Sequence, residues 1–124
     1  MSKLFLIGLG GFVGAIARYG LSDGVHRLLG VGFPYGTLVV NVLGCVLLGF
    51  GVTLAEQRLW ITPELRALWF IGGFGAFTTF STFSYETFQL LRAGSVFSAG
   101  LNVLSSVVVG LFAIWVGYTL ARMV

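Results

Sequence analysis

The sequence predicts an all-α membrane protein with four transmembrane helices, the third of which is broken near its middle. Three observations support this fold class. The 124 residues are 57% hydrophobic and only 9% charged, with a mean hydropathy of +1.01, whereas soluble domains carry about a quarter charged residues. The few charges are so widely spaced that uncharged stretches of spanning length lie between them. One of these stretches contains three closely spaced glycines.

The spacing of the charges locates the spans. A membrane-spanning helix requires about 20 apolar residues. Three uncharged stretches approach or exceed this length: 28 residues between Arg27 and Glu56, 19 between Arg66 and Glu86, and 29 between Arg92 and Arg122. Each of them therefore holds one predicted span.

The first segment differs, because only 14 uncharged residues separate Lys3 from Arg18. A helix that crosses the membrane here must run past Arg18 to about Leu21, so Arg18 is a candidate membrane-embedded charge. The alternative is a secretory signal peptide, since "AIA" at residues 15–17 resembles a cleavage site. Its charged start would be Lys3 alone, and four spans is the favoured count.

The four spans are predicted at about residues 4–21, 34–55, 63–91 and 97–121, within a single domain, 1–124. Residues 22–34 are predicted to form a loop or a short interfacial helix, with His26 solvated. Thr62 and Pro63 are typical of an N-cap followed by a first-turn proline, and Pro34 suits the first turn of the second span. Gly10 and Gly14 have the spacing that lets membrane helices approach closely.

The loop charges predict an antiparallel homodimer. Lys and Arg in loops set orientation, and here the two sides are nearly balanced: Lys3, Arg58, Arg66 and Arg122 against Arg27 and Arg92, with Arg18 as a possible third. Such a chain can insert both ways up. There is no basic run that would indicate a nucleic-acid partner. The lone Cys45 excludes a disulfide framework and is predicted only to pack.

The glycines of the third span favour a break in that helix. Gly72, Gly73 and Gly75 each weaken a helix by about 1 kcal/mol relative to alanine. Non-helical backbone persists in a membrane only where protein or a polar cavity surrounds it. A break from Gly75 to Thr78 would direct free carbonyls at a cation, or half-helix N-termini at an anion. The alternative is that the glycines merely allow close packing.

Hydroxyls and aromatic rings alternate after the predicted break. Phe77, Phe80 and Phe83 fall at i, i+3 and i+6. Hydroxyl-bearing residues run beside them: Thr78, Thr79, Ser81, Thr82 and Ser84. Phenyl edges are positive and hydroxyls donate hydrogen bonds, so both can contact an anion. The alternative is a Phe-rich core stripe whose hydroxyls bond back to their own helix.

Polar residues in the other spans favour the anion interpretation. Arg18 and Asn41 are donors within membrane helices, where such groups usually mark a pathway. Asn102 and Ser106 fall at i, i+4 in the fourth span, with Gly110 as a gap on the same face, and Glu86 is the only acid near a span. This set suits a small, strongly hydrated anion. The sequence contains no catalytic triad, Cys-His pair or metal cluster, and we predict no enzyme.

Three strings carry a family resemblance: "GGFGAFTTFSTFSYE" at residues 72–86, "GAIARYG" around Arg18 and "GTLVVNVLG" around Asn41. With them the chain resembles the Fluc/CrcB-type fluoride channels over essentially its whole length. The resemblance implies a dual-topology homodimer with two anion pores along the subunit interface. It also implies passive, selective export of fluoride across a bacterial inner membrane.

The resemblance also implies roles for individual residues. Phe80 and Phe83 would present ring edges to fluoride, Asn41 would be the pore amide, and Arg18 would lie at the aqueous vestibule. The polar path beside them would comprise Thr79, Ser81, Thr82, Glu86, Asn102 and Ser106. The backbone carbonyls of Gly75 and Thr78 would hold a structural sodium ion at the dimer centre. Asn102 stands where the family often has tyrosine, and Gly110 where a serine can occur.

Two other functions compete with this hypothesis. A small dual-topology, proton-coupled exporter of organic cations would use Glu86 as its titrating site, but such exporters place the acid in their first span, where this chain has Arg18. A non-transporting membrane scaffold would explain the small residues of the first span and the stripe of small residues in the fourth, which comprises Ser106, Gly110, Ala113, Gly117 and Ala121. It would leave Arg18, Asn41 and the hydroxyls unexplained.

Overall fold

The computed structural model describes residues 2–124, and over that range the chain is helical throughout, with short connections and no strand. The helices are α1 (Lys3–Leu29), α2 (Tyr35–Gln57), α3 (63–77), α4 (Phe80–Arg92) and α5 (Val96–Arg122). Helices α1, α2 and α5 are each long and apolar enough to cross a membrane. The predicted third span consists of two shorter helices, α3 and α4. The chain is a multi-pass membrane protein.

Helix α1 is longer than predicted. It continues without interruption into the segment predicted as a loop or a short interfacial helix and ends at Leu29, before Gly30 at φ 87°. Asp23 and Arg27 form an i, i+4 ion pair with an N–O distance of 2.9 Å on the helix surface, so these charges support the helix instead of ending it. His26 therefore lies in a helix, and the prediction of a solvated loop histidine was wrong.

The third span is broken as predicted, but slightly later along the chain. Helix α3 begins at the Thr62 N-cap, whose hydroxyl accepts from the Leu65 N–H at 3.3 Å. It is π-helical over Arg66–Phe74 and returns to α-helix at Gly75–Phe77. Only Thr78 and Thr79 leave the helical conformation, with ψ of 159° and 122°. The glycines themselves stay helical.

Close packing of α1 on α3 explains the glycines of the first span. A Cβ added to Gly10 would lie 1.9 Å from the carbonyl oxygen of Leu68, and one added to Gly14 would lie 2.1 Å from that of Gly73. Contacts this short leave no space for a side chain. The predicted small-residue contact through Gly10 and Gly14 is confirmed.

The three glycines of α3 have different surroundings. A Cβ on Gly72 would lie 2.4 Å from the carbonyl oxygen of Ile7, and both Gly72 and Gly73 are buried. Gly75 is exposed, and the nearest atom to its Cβ would be 3.7 Å away. Close packing thus accounts for Gly72, whereas a Cβ on Gly73 would meet its nearest neighbour at 3.4 Å, so it explains neither Gly73 nor Gly75.

Helix α5 packs on α2 through part of its predicted stripe. Ala113, Gly117 and Ala121 are buried, and a Cβ on Gly117 would lie 2.2 Å from the carbonyl oxygen of Val46. Gly110 differs, since its Cβ would meet only the Cys45 sulfur at 3.8 Å. Most large apolar side chains of α5 face outward, as expected for a surface in lipid.

Candidate functional site

The break between α3 and α4 is held by the side chain of Asn41 in α2. Its Nδ2 donates to the carbonyl oxygen of Thr79 at 3.0 Å, and its Oδ1 accepts from the N–H of Thr79 at 2.8 Å. The amide thus pairs with both backbone groups of one residue, as a neighbouring strand would. An Asn amide has two N–H donors, so one of them stays available to a ligand.

This pairing redirects the backbone hydrogen bonds around the break. In a continuous helix the Thr79 N–H would bond the carbonyl of Gly75, but here it donates to Asn41. The Thr82 N–H would likewise bond the carbonyl of Thr78, but it donates to the Thr79 hydroxyl at 3.2 Å, the N-cap of α4. The carbonyl oxygens of Gly75 and Thr78 are therefore released from the helical ladder.

Several predicted site residues meet around a cavity of about 310 Å³ between α1, α2 and α4. Its polar lining consists of one cation, two acids and several hydroxyl-bearing residues: Arg18, Asp23, Glu86, Tyr19, Ser22, Thr37, Thr79 and Thr82. The Thr37 hydroxyl donates to Oε1 of Glu86 at 2.9 Å. Sequence reasoning missed Thr37, although it lies one helical turn before Asn41 and so on the same side of α2.

Two side chains at this cavity have unused hydrogen-bonding atoms. Within residues 2–124, the buried side-chain atoms without a partner are Arg18 Nε, Glu86 Oε2 and Ser106 Oγ. Buried polar groups are nearly always hydrogen-bonded. Arg18 and Glu86 therefore leave one donor and one acceptor free at the same cavity, and both suit a polar or ionic occupant.

A second cleft of about 280 Å³ lies on the other side of the Asn41–Thr79 pairing. Gly75, Thr78 and Phe80 line it together with Asn41 and Thr79. The cleft opens on the outer surface of the subunit, where 79% of Phe80 is exposed. The two residues predicted to offer backbone carbonyls to a cation therefore share one outward-facing cleft.

The predicted phenylalanine stripe divides at the break. Phe77 is buried with 7% exposure and belongs to the core. Phe80 and Phe83 follow the break, with ring centroids 5.7 Å apart and planes inclined at 49°. Phe77 thus fits the alternative of a core stripe, Phe80 is exposed at the second cleft, and Phe83 is half-buried and lines neither cavity.

The polar residues of α5 do not reach either cavity. Asn102 is buried, with 1% exposure, and its Nδ2 donates to the Thr87 hydroxyl at 2.9 Å. Thr87 in turn donates to the carbonyl oxygen of Phe83 at 2.8 Å. Asn102 therefore ties α5 to the Phe83 turn through Thr87, which sequence reasoning missed. Ser106 lines neither cavity.

Ser81 is exposed and lies outside both cavities. Its hydroxyl is 3.4 Å from that of Thr79, and Thr79 also donates to the Thr82 hydroxyl at 3.2 Å. The structure therefore brings Arg18, Thr79, Thr82 and Glu86 together at the first cavity, and Asn41, Gly75, Thr78 and Phe80 at the second. Thr79 is common to the two.

The chain is similar in sequence to known proteins over most of its length. The family model described as CrcB-like protein, Camphor Resistance (CrcB), matches residues 5–118. A Methylococcus capsulatus protein named Fluoride-specific ion channel FluC is 51% identical over 120 residues, which is 97% of this chain and 53% of that protein. Proteins with the same name from Geobacter sulfurreducens and Magnetococcus marinus are each 48% identical. The Geobacter alignment covers 98% of this chain and 98% of that protein. The Magnetococcus alignment covers 95% of this chain and 96% of that protein.

The chain spans about half the length of the Methylococcus relative and nearly all of the other two. The family match covers most of the 124 residues, including Arg18, Asn41 and the whole of the broken third span. The chain therefore belongs to the CrcB-like protein family.

Proposed function

We propose that this chain forms a fluoride-selective channel that exports fluoride passively through the bacterial inner membrane. The names of the relatives support fluoride as the ion. The observation that carries the proposal is the cavity between α1, α2 and α4, where Arg18 lies beside the hydroxyls of Thr37, Thr79 and Thr82 and the carboxyl groups of Asp23 and Glu86. The hydroxyls of Thr37 and Thr79 donate to Glu86 and Thr82 and would have to turn from these partners to a bound ion. A fixed cation and hydroxyls that can turn in this way are suited to drawing in and desolvating a small anion.

Selectivity follows from the kind of donors present. Fluoride is small and accepts short hydrogen bonds from hydroxyls and from the second N–H of Asn41. The positive edges of Phe80 and Phe83 supply weaker contacts further along. Chloride is larger and gains less from short hydrogen bonds, so a narrow path with these donors favours fluoride.

The proposal includes an antiparallel homodimer with two pores. The near balance of loop charges lets the chain insert in both orientations. The second cleft, with Phe80 at its edge, opens outward from a single subunit. In an antiparallel pair the two clefts face each other, and each pore takes residues from both subunits.

A structural sodium ion fits the donors at this cleft. The carbonyl oxygens of Gly75 and Thr78 are released from the helix, and uncharged backbone oxygens are ligands that hard cations accept. One subunit supplies two such oxygens, and a two-fold partner would double the set. The ion's contribution would be to hold the two breaks together. Asn41 prepares the site by keeping Thr79 away from the Gly75 carbonyl.

The proposed function is tested by fluoride release from liposomes. The purified chain in vesicles loaded with potassium fluoride is expected to release fluoride when valinomycin provides the potassium path, as followed with a fluoride electrode. Vesicles loaded with potassium chloride serve as the selectivity control, and protein-free vesicles give the background. Equal chloride release, or no fluoride release above background, would contradict the proposal.

The contribution of the ring edges is tested by Phe80→Ile and Phe83→Ile. Each keeps an apolar side chain of similar bulk but removes the positive edge, and we expect fluoride release to fall about fivefold, since aromatic contacts contribute on the order of 1 kcal/mol. Phe88→Ile is the matched control, because Phe88 is exposed on the same helix and lies farther from the break than Phe80 and Phe83. Unchanged release in both pore variants would exclude the ring-edge role.

A further inference from the structure

The N-terminus of α2 is capped by a residue of α1. The first backbone N–H groups of a helix need acceptors from outside the helix. The N-cap residue of α2 is Pro34, which makes no side-chain capping bond. The N–H of Gly36 donates instead to Nε2 of His26, at 3.1 Å. His26 therefore performs across two helices what a Ser or Asp N-cap performs within one.

The close approach of the two helices fixes this contact. A Cβ on Gly36 would lie 2.5 Å from the carbonyl oxygen of Ser22 and 2.9 Å from Cε1 of His26. The first turn of α2 is thus pressed onto α1, and the imidazole has little room to move while it accepts this bond. The position of the first turn depends on His26.

His26 is also connected to the proposed anion path. Thr37, the residue after Gly36, donates to Oε1 of Glu86. A third cavity, of about 230 Å³, is lined by His26, Glu86 and Gln89 among others. His26 therefore contacts the backbone directly before Thr37 and shares a cavity with the carboxylate that Thr37 holds.

We propose that His26 is a proton-sensitive positioning residue that keeps Thr37 and Glu86 in their conducting arrangement, an inference that rests on the proposed fluoride path. A neutral imidazole can accept through Nε2, whereas both nitrogens of a protonated imidazole are donors. Protonation therefore removes the acceptor for Gly36 and places a positive charge at the positive end of α2. Both effects drive the ring away from the helix end.

The protonated ring has an acceptor within the shared cavity. Oε2 of Glu86 has no hydrogen-bond partner among the described residues, so the imidazolium turns toward it. This movement frees the first turn of α2 and draws Glu86 away from Thr37. We infer that fluoride conduction falls when His26 is protonated.

Other charged groups near His26 do not provide the same switch. The titratable and charged groups around it are Asp23 and Arg27 of α1, Tyr35 at the start of α2, and Glu86 of α4, with Arg18 at the neighbouring cavity. Asp23 is paired with Arg27 at 2.9 Å and also lines the first cavity, but neither residue caps α2.

The hydrogen bond is tested by NMR of the imidazole nitrogens. His26 is the only histidine in the chain, so tag-free protein labelled with ¹⁵N-histidine gives one pair of ring signals. At about pH 7.5 we expect Nε2 to be unprotonated and Nδ1 to carry the proton. A proton on Nε2 at that pH would overturn the proposal. This measurement needs no variant and no transport activity.

The functional consequence is tested by fluoride release at about pH 7.5 and about pH 5.5, with protein-free vesicles at each pH. We expect the unmodified chain to release fluoride about fivefold more slowly at the lower pH. This ratio corresponds to the loss of one hydrogen bond that contributes about 1 kcal/mol. His26→Gln keeps an acceptor at both pH values and is expected to be equally fast at both. His26→Leu has no acceptor and is expected to be slow at both.

Asp23→Asn is the matched control and is expected to keep the fivefold decrease. The same decrease in His26→Gln would assign the pH dependence to another group and overturn the proposal. If the unmodified chain released no fluoride at either pH, the proposed function would fail, while the NMR result would still decide whether His26 caps α2 as a neutral acceptor. The NMR result also decides the matter if a His26 variant does not fold.

Discussion

Asn41→Leu is expected to reduce fluoride release about 100-fold. The substitution keeps the bulk of the side chain but leaves the Thr79 N–H and carbonyl without the partners that now lie at 2.8 and 3.0 Å. An unpaired backbone group away from water costs about 1–3 kcal/mol, so two of them together correspond to about 3 kcal/mol. The Thr79 N–H would then return to the Gly75 carbonyl and close the break. The measurement is fluoride release from vesicles with matched protein content.

Asn102→Leu makes the same chemical change at a comparison site. Asn102 is a buried amide in α5 that donates to a single side-chain hydroxyl, that of Thr87, and it does not contact the break. A hydroxyl can rotate to another partner, so a loss of less than about tenfold is expected. If Asn41→Leu were no worse than Asn102→Leu, the pairing with Thr79 would not control the path.

Gly10→Ala is expected to destabilise the fold by about 3 kcal/mol, the upper part of the range for forcing extra atoms into a packed interior. The added Cβ would lie 1.9 Å from the carbonyl oxygen of Leu68 and 2.9 Å from the N–H nitrogen of Gly73. Both are backbone atoms, so no side-chain rotation relieves the contact. Helix α1 would have to move away from α3. Thermal unfolding of the purified protein in detergent, followed by circular dichroism, measures the effect.

Gly8→Ala is the control on the same helix. No atom lies within 4 Å of the Cβ position at Gly8, so the change is expected to leave the unfolding midpoint unchanged or to raise it slightly through helix propensity. Equal midpoints for Gly8→Ala and Gly10→Ala would show that α1 and α3 do not pack as closely as described.

The spans could be predicted from the sequence because they depend on local composition. The uncharged stretches correspond to α2, to α5 and to the broken third span, and Thr62 forms the expected N-cap. The end of α1 was not predicted, since charge was taken as a sign of a loop. Asp23 and Arg27 instead pair across one helical turn and extend the helix to Leu29.

The geometry of the candidate site could be predicted only in part, because it depends on contacts between helices. Arg18, Asn41 and Glu86 indicated the location of the candidate site, because they are polar residues in or near predicted membrane spans. Nothing in the local pattern indicated that Asn41 would bond both backbone groups of Thr79. Helical spacing placed Asn102 on a polar face with Ser106. Its hydrogen-bond partner Thr87 lies in another helix and becomes known only when α4 and α5 are packed together.

The break itself illustrates the same division. Three glycines predicted a weak helix, yet all three remain helical, and at Gly72 α1 occupies the space that a side chain would need. The chain leaves the helix at Thr78 and Thr79 because a partner in another helix and a side-chain cap take up the freed N–H groups. Local propensity predicted that a break would occur, and tertiary contacts determined its position.

The π-helical segment Arg66–Phe74 has a consequence for how this chain can change in length. Bonding from residue i to i+5 turns the backbone less per residue than the roughly 100° of an α-helix. The total rotation of the backbone over these nine residues therefore affects the direction in which the side chains from Phe80 to Glu86 point. An insertion or deletion of one residue upstream of the break would act as a rotation, and would swing the aromatic and acidic side chains to different sides of the subunit. Substitutions are tolerated in this segment wherever space allows, whereas a change in its length would rotate the residues that follow it.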